Sequence, residues 1–180
     1  QIAPCFRDED ARGDRSPGEF YQLDMEMSFA TQEDVFAICE DVLPPIFAKF
    51  GTYDIASQPP FRRIAYKDAL ETYGSDKPDL RIDLTVEDIT EEVTGCGFGP
   101  FEGAVVKAVV VHDFTQTRKQ IDKLCADAEV ASGGNKAFWF RLDGNGELVG
   151  GISKFLGEKK EALVAKLGLK PNSFVAVSAG

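Results

Sequence analysis

The chain has 180 residues, of which 43% are hydrophobic and 28% charged, and its net charge is −10. This length allows one large or two small domains with a buried core, and no long apolar run or signal peptide indicates a membrane protein or a secreted one. The acidic bulk does not favour nonspecific binding of nucleic acid, because contacts to phosphate need cations. We therefore expect a cytoplasmic globular protein whose nucleic-acid contacts, if it has any, come from local basic patches.

The first thirty residues predict two antiparallel strands joined by a long loop. Residues 1–6 suit a half-buried strand, residues 20–29 alternate between apolar and polar, and residues 10–18 are too many for a tight turn. One face of the second strand would be polar and the other would be core. The predicted polar face carries Phe20, Gln22, Asp24 and Glu26, and the predicted core face carries Tyr21, Leu23, Met25 and Met27.

The polar face of this hairpin has the groups that a site for ATP and an amino acid requires. An arginine fork matches phosphate oxygens, an aromatic ring can hold a base, and carboxylates can receive an ammonium group. From the pattern alone, a solvated polar face beside an ordinary core face is an equally good interpretation.

A helix and a short charged segment follow the hairpin. Thr31 begins a helix with acidic residues in its first turn, and Pro44 and Pro45 are expected to break or kink it. A second, short helix from Tyr66 to Tyr73 should end at Gly74. The charged residues 75–81 then form either a loop near an active site or a salt-bridged connector.

The glycine-rich stretch from Gly95 to Pro100 is the predicted domain boundary, which separates residues 1–95 from residues 96–180. Pro100, with no helix after it, favours a flexible junction over a nucleotide-binding loop. Beyond it, strands and helices alternate in a pattern that predicts an α+β module with a small, mainly antiparallel sheet. The predicted strands are residues 104–111, 136–142 and 173–177, the predicted helices are residues 117–131 and 158–167, and residues 152–156 form a short element.

Cysteine and histidine chemistry is not expected. The four cysteines, Cys5, Cys39, Cys96 and Cys125, form no closely spaced pair that predicts a zinc site or a disulfide framework. The single histidine, His112, ends an apolar run and is expected to be structural or on the surface. We predict no metal site in this chain.

Three segments resemble one known family. Residues 5–10, the loop with Arg12 and Arg15, and the alternation from Phe20 to Glu26 resemble the second signature motif of class II aminoacyl-tRNA synthetases, and more narrowly of the bacterial-type aspartyl enzymes. Residues 73–81 resemble that family's GSDKPDLR segment, and residues from about 105 to 180 resemble its inserted GAD domain. The resemblance implies a catalytic core for residues 1–95, built on an antiparallel sheet, and a GAD domain for residues 96–180.

The resemblance also implies roles for individual residues of the hairpin. Arg7 would be catalytic and would clamp the ATP α-phosphate and the activated carboxylate. The implied ATP contacts are Arg7, Asp8, Glu9 and Phe20, the implied aspartate contacts are Arg7, Gln22 and Asp24, and the implied contacts to the tRNA acceptor stem are Asp10, Arg12 and Arg15. Ser16 stands where relatives have a Gln, in a loop one residue longer, so its role stays open.

The family would use ATP, Mg²⁺ and L-aspartate, with tRNA(Asp) and in some members tRNA(Asn) as the acceptor, in a homodimer. The chain begins at Gln1 inside a predicted strand and has no recognisable first or third family motif, so we expect an excised fragment that is inactive alone. The ligands of Mg²⁺ are expected outside it.

Two other classes of function compete with the ligase interpretation. Residues 96–180 could instead be a tRNA-contacting or purely structural module of the GAD type, without catalysis. Basic residues of the helix over 117–131, namely Arg118, Lys119 and Lys123, are candidates for such a contact, although a solvated helix face is the simpler interpretation. A plain acidic structural protein is the third possibility, and the match around Arg7 speaks against it.

Overall fold

The computed structural model describes residues 1–8, 10, 18–52 and 58–180, and it divides the chain into two compact units. The first unit comprises residues 1–63 and the second comprises residues 64–180. Strands pair antiparallel in both units and helices accompany them, so the predicted mixed α+β class is confirmed. Among the described residues, none of the helices has the length and apolarity needed to cross a membrane.

The first unit contains a two-stranded hairpin. Strand β1, Ile2–Phe6, pairs with strand β2, Glu19–Leu23. The predicted second strand was longer and reached Phe29. The backbone ladder ends instead where the Asp24 N–H donates to the Gln1 carbonyl (2.9 Å). A strand needs backbone partners, and among the described residues no further strand lies beside the chain after this point.

Helix α1, Gln32–Phe50, follows the hairpin. It begins with the predicted capping box, in which the Thr31 N–H donates to the Asp34 carboxylate (2.7 Å) and the Asp34 N–H donates to the Thr31 hydroxyl (3.4 Å). The predicted break at Pro44 and Pro45 is wrong, since the helix continues to Phe50. Proline's fixed φ is compatible with a helix, and the two missing N–H groups remove only two of its hydrogen bonds.

Residues Phe61 and Arg63, which follow α1 in the sequence, contact that helix. The Phe61 N–H donates to Glu40 (2.8 Å), and the guanidinium of Arg63 lies 4.5 Å from the centre of the Phe36 ring. Arg63 also forms ion pairs with Glu33 and, at 4.0 Å, with Glu40. The hydrogen bond to Glu33 raises the pKa of Arg63.

The second unit is built on a five-stranded antiparallel sheet with the order β3-β4-β7-β5-β6. Strand β7, the last in sequence, lies in the middle of the sheet between β4 and β5. The two halves of the sheet are therefore joined only after β7 has paired with both neighbours. The strands are β3 (Val86–Asp88), β4 (Val106–Val111), β5 (Ala137–Leu142), β6 (Leu148–Val149) and β7 (Ser173–Ala179). The helices are α2 (Tyr66–Tyr73), α3 (Thr90–Val93), α4 (Arg118–Ala131) and α5 (Lys160–Leu167).

The core of this unit lies between one face of the sheet and helices α3 and α5. Alternate residues of the three central strands point into it, as the period of a strand requires. Fully buried members include Phe140 on β5, Val175 on β7 and Leu163 on α5, all with an exposed fraction of 0%. Ile89, which immediately precedes α3, is equally buried and joins the same cluster.

A smaller apolar group lies outside that cluster. Phe174 on β7 and Ile121 on α4 are both buried. The Phe114 ring stacks on Phe174 with centroids 4.3 Å apart, and Trp139 lies 6.2 Å from the same ring. Trp139 is half-buried in this packing.

The expectation of a flexible junction at residues 95–100 is wrong. The ring of Phe98 packs edge-on against Phe101 and Phe138, at 4.9 Å in both cases, and lies 5.0 Å from Phe155. Strand β3 and helix α3, which precede this stretch, belong to the same sheet and core as the residues after it. The compact units therefore meet between residues 63 and 64, and the assignment of residues 1–95 and 96–180 to two synthetase domains stays a prediction.

Candidate functional site

The register of the hairpin brings the predicted ligand-binding side chains onto one face. Cys5 lies opposite Phe20, and Ala3 lies opposite Gln22, and residues directly opposite share a face. The Arg7 N–H donates to the Gly18 carbonyl (3.0 Å), which carries the ladder one step beyond β1. Alternation therefore places Arg7, Phe20 and Gln22 on the same side.

Arg7 and Phe20 form the first half of this candidate site. The Arg7 guanidinium lies over the Phe20 ring, 5.4 Å from its centre. Arg7 is exposed and Phe20 is half-buried, and no carboxylate among the described residues forms an ion pair with Arg7. Its donors remain available to the oxygens of an anionic ligand, and a phosphate or carboxylate fits the guanidinium fork.

Gln22 and Asp24 form the second half. The Gln22 side chain is exposed, and its Oε1 lies 3.3 Å from the Cys5 Sγ. Asp24 follows β2 directly and is also exposed. A carboxamide oxygen and a carboxylate can both accept hydrogen bonds from the ammonium group of an amino acid, and an arginine further along the same face can bind its carboxylate.

Several of the predicted contacts lie outside this geometry. Glu9, Arg12, Arg15 and Ser16 fall outside the described residues. Asp8 and Asp10 are described and exposed, and neither forms a hydrogen bond or ion pair with another described residue. The predicted roles of Asp8, Glu9, Asp10, Arg12 and Arg15 in binding ATP or the acceptor stem stay predictions.

The reverse face of the hairpin is not a core within the described residues. Tyr21 is 72% exposed, Leu23 53%, Met25 49% and Met27 45%, although these residues were expected to be buried. No described residue of the first unit is classed as buried. A two-stranded ribbon beside one helix has too little apolar surface to enclose these side chains.

The charged segment 75–81 pairs its charges locally. Lys77 contacts Asp76 at 2.8 Å, and the Arg81 guanidinium donates to both carboxylate oxygens of Asp79 at 2.8 and 2.5 Å. These bonds from the Arg81 side chain, with one from its backbone N–H, lower the pKa of Asp79 to about 2. The segment thus has the ion pairs expected of a salt-bridged connector, and a location near the active site stays a prediction.

The basic residues of α4 are paired in the same way. Arg118 lies 3.8 Å from Asp122, and Lys123 lies 2.5 Å from Asp127, at exposed positions four residues apart. This arrangement agrees with the simpler interpretation of a solvated helix face. His112 is exposed and its Nδ1 lies 2.9 Å from the buried Ser173 hydroxyl, as expected for a structural or surface histidine.

Metal ions have no clear site in the described part of the chain. No three His, Cys, Asp or Glu side chains there come close enough together to hold one.

One member of the candidate site, Cys5, was missed in the assignment of roles from sequence. The available signal was its position two residues before Arg7, which puts both on the same face of a strand. The contact between Cys5 and Gln22 connects β1 with β2, so it could be predicted only from the pairing register of the two strands.

Comparison with known proteins gives one consistent family. The model of class II tRNA synthetases (D, K and N) matches residues 1–170. The aspartate–tRNA(Asp/Asn) ligase of Zymomonas mobilis is 47% identical over 196 residues, which cover 100% of this chain and 31% of that protein. The aspartate–tRNA ligase of Streptomyces avermitilis is 49% identical over 182 residues, with the same two shares, so the chain spans 31% of the length of both relatives. The chain therefore belongs to the class II tRNA synthetases of the D, K and N group.

Proposed function

We propose that this chain is part of an aspartate–tRNA ligase that activates L-aspartate with ATP and transfers it to the 3′ end of tRNA(Asp). The observation that carries the proposal is the shared face of Arg7, Phe20 and Gln22, in a chain whose full length aligns with aspartate–tRNA ligases. In the first step an aspartate carboxylate oxygen attacks the α-phosphorus of ATP, pyrophosphate leaves and aspartyl-adenylate forms.

Arg7 is the residue that we place at the centre of this step. Two anions, the carboxylate and the α-phosphate, must approach each other, and a guanidinium fork that binds both offsets their repulsion and fixes their alignment. The absence of an ion-paired carboxylate among the described residues leaves the Arg7 donors available for this task. No general base is needed, because the attacking carboxylate is already ionised.

Phe20 is proposed to stack on the adenine ring, assisted by Asp8 and Glu9. The Arg7 guanidinium occupies one position over the Phe20 ring at 5.4 Å, so a base that stacks on the same side takes the place of Arg7. Arg7 would then move towards the α-phosphate, which makes base binding and phosphate binding cooperative.

Gln22 and Asp24 are proposed to receive the ammonium group of aspartate. A carboxamide oxygen and a carboxylate are both acceptors, and both lie on or directly after β2. Asp10, Arg12 and Arg15 are proposed to contact the end of the tRNA acceptor stem, where the two arginines can bind phosphates. The residues that hold Mg²⁺ are proposed to lie in parts of the enzyme outside this chain.

The experiment that tests the proposal is aspartate-dependent exchange of pyrophosphate into ATP by the full-length enzyme, its Arg7→Ala variant and the 180-residue chain. We expect exchange in the full-length enzyme, a loss of at least about a hundredfold in Arg7→Ala, as for removal of a group that stabilises developing charge, and none in the chain alone. Exchange that survives Arg7→Ala would contradict the assigned site, and turnover by the isolated chain would contradict its expected inactivity.

The tRNA specificity and the assembly state need separate measurements. The names of the two relatives differ, one with tRNA(Asp/Asn) and one with tRNA alone. Charging of tRNA(Asp) and tRNA(Asn) by the full-length enzyme, measured side by side, decides between the two specificities. Sedimentation of that enzyme tests the proposed homodimer.

A second candidate function concerns residues 96–180 as a tRNA-contacting module of the GAD type. Lys119 on α4 forms no ion pair with a described residue, in contrast to Arg118 and Lys123. Titration of tRNA against the 180-residue chain and its Lys119→Ala variant at two salt concentrations tests this function. Binding that weakens with salt and with the substitution supports it, and no binding favours a scaffold.

A further inference from the structure

A thiol lies beside the carboxamide that is proposed to bind aspartate. The Cys5 Sγ is 3.3 Å from the Gln22 Oε1, a distance at which a thiol donates a hydrogen bond to a carbonyl oxygen. The two residues are diagonal neighbours across the hairpin, because Cys5 lies directly opposite Phe20, two residues before Gln22. Both strands thus contribute to the position of the Gln22 side chain.

Gln22 has no other described contact that would fix its orientation. Its side chain is exposed and has several rotatable bonds, so an unrestrained carboxamide would lose rotamer freedom each time it bound a ligand. The thiol reduces this loss by holding the carboxamide before the ligand arrives. A carboxamide oxygen has two lone pairs, so Oε1 can accept from Cys5 and still accept from an ammonium group.

The alternative acceptor for the same thiol is more distant. The Ala3 carbonyl oxygen lies 3.7 Å from the Cys5 Sγ, compared with 3.3 Å for the Gln22 Oε1. A thiol carries one hydrogen, and the shorter contact is the better acceptor. Cys5 is half-buried, and the pairing of β1 with β2 fixes its position opposite Phe20.

We propose that Cys5 is a positioning residue for amino-acid recognition, which holds the Gln22 Oε1 towards the ammonium group of the bound substrate. This inference rests on the proposed function, because it deepens the role of Gln22 in aspartate binding. Cys5 does not touch the reacting atoms, so its effect falls on the KM for aspartate and leaves the ATP site and the chemical step unchanged.

The test is pyrophosphate exchange by the full-length enzyme and its Cys5→Ala, Cys5→Ser and Cys39→Ala variants. We expect Cys5→Ala to raise the KM for aspartate about five- to tenfold, the range of one hydrogen bond, with kcat and the KM for ATP within about twofold of wild type. Cys5→Ser keeps a donor and should restore most of the affinity. Cys39 is a half-buried thiol on α1 without a contact to Gln22, so its variant serves as the matched control.

A double-mutant cycle with Gln22→Ala separates positioning from general packing. If Cys5 acts through Gln22, Cys5→Ala has no further effect on the KM for aspartate once Gln22 is replaced. An equal effect in both backgrounds, or a KM for aspartate within twofold of wild type in Cys5→Ala, would overturn the proposal. If Cys5→Ala does not fold, the Cys5→Ser variant is compared with Gln22→Ala instead. An equal increase of the KM for aspartate in these two variants would also overturn the proposal.

The same data distinguish this inference from the proposed function. Wild-type enzyme without aspartate-dependent exchange overturns both. Wild-type exchange that Arg7→Ala abolishes, together with an unaffected Cys5→Ala variant, overturns the role of Cys5 alone.

Discussion

The two compact units differ in how they are held together. The second unit encloses all of the buried apolar residues that the structure describes, and the first unit has none in its described part. In the first unit, a ladder of backbone hydrogen bonds, a capped helix and the Arg63 contacts maintain the local structure. The difference shows that the hairpin with Arg7, Phe20 and Gln22 is held by backbone pairing and not by burial among the described residues.

The largest expected effect comes from a matched pair of aromatic substitutions, one in each unit. Phe140→Ala removes a fully buried ring and should lower the free energy of unfolding by about 3–5 kcal/mol, whereas Tyr21→Ala removes a ring that is 72% exposed and should change it by less than about 0.5 kcal/mol. Urea denaturation of the 180-residue chain, followed by Trp139 fluorescence, measures both. Comparable losses in the two variants would mean that the hairpin shares the core of the second unit.

A smaller effect is expected from the two capping boxes, in which a threonine pairs with Asp34 in one helix and with Gln120 in the other. Thr31 caps α1 in the first unit and Thr117 caps α4 in the second. Each Thr→Ala change should cost its helix about 1 kcal/mol. Because α4 buries Ile121 and α1 buries no residue, we expect Thr117→Ala to lower global stability and Thr31→Ala to raise only the local hydrogen exchange of α1.

Hydrogen exchange and urea denaturation of both variants check this prediction. A fall in global stability with Thr31→Ala would show that α1 is coupled to the core. It would contradict the conclusion that the two units are stabilised in different ways. The exchange rates of α4 amides in Thr31→Ala serve as the internal control.

The smallest expected effect is a pH dependence that is confined to the second unit. The Thr90 side chain and N–H (3.0 Å) and the Lys107 ammonium (2.9 Å) hold the pKa of Asp88 well below its ordinary value of 3.8. A lowered folded-state pKa contributes stability above the unfolded-state pKa, and this contribution is lost as the pH falls through the folded-state value. Stability should therefore decrease below about pH 4, more steeply in wild type than in Asp88→Asn.

The effect should be modest because half of the Asp88 side chain is exposed, and water screens the pair with Lys107. Thermal melting between about pH 2 and pH 5 gives the measurement. Identical pH profiles for wild type and Asp88→Asn would mean that this carboxyl group is not held by its partners in the folded chain.

Much of the local structure could be predicted from the sequence. The end of α2 at Gly74 agrees with the prediction, since the residue has φ +69°, which favours glycine. The cap at Thr31 and the strands β4, β5 and β7 were also predicted, because periodicity and hydrogen-bonding side chains act over a few residues. The polar face of the hairpin followed from the same alternation, and the register confirms that Phe20 and Gln22 lie on one side of it with Cys5.

Other features were decided only by tertiary structure. Phe98 lies in a glycine-rich stretch that is typical of a linker, but its ring packs against Phe138 and Phe155, which are 40 or more residues away in the chain. The alternate apolar residues of β2 are buried only if another element packs against them, and a local sequence pattern does not specify that element.

The sequence by itself thus determined the family, the order of the longer helices and strands, and which residues share the polar face of β2, because these depend on short-range periodicity and on literal motifs. The tertiary structure decided that the core belongs to residues 64–180, that the stretch after Gly95 is packed, and that the Cys5 thiol meets the Gln22 carboxamide. These features depend on contacts between residues far apart in the chain, and such contacts exist only once the strands have paired.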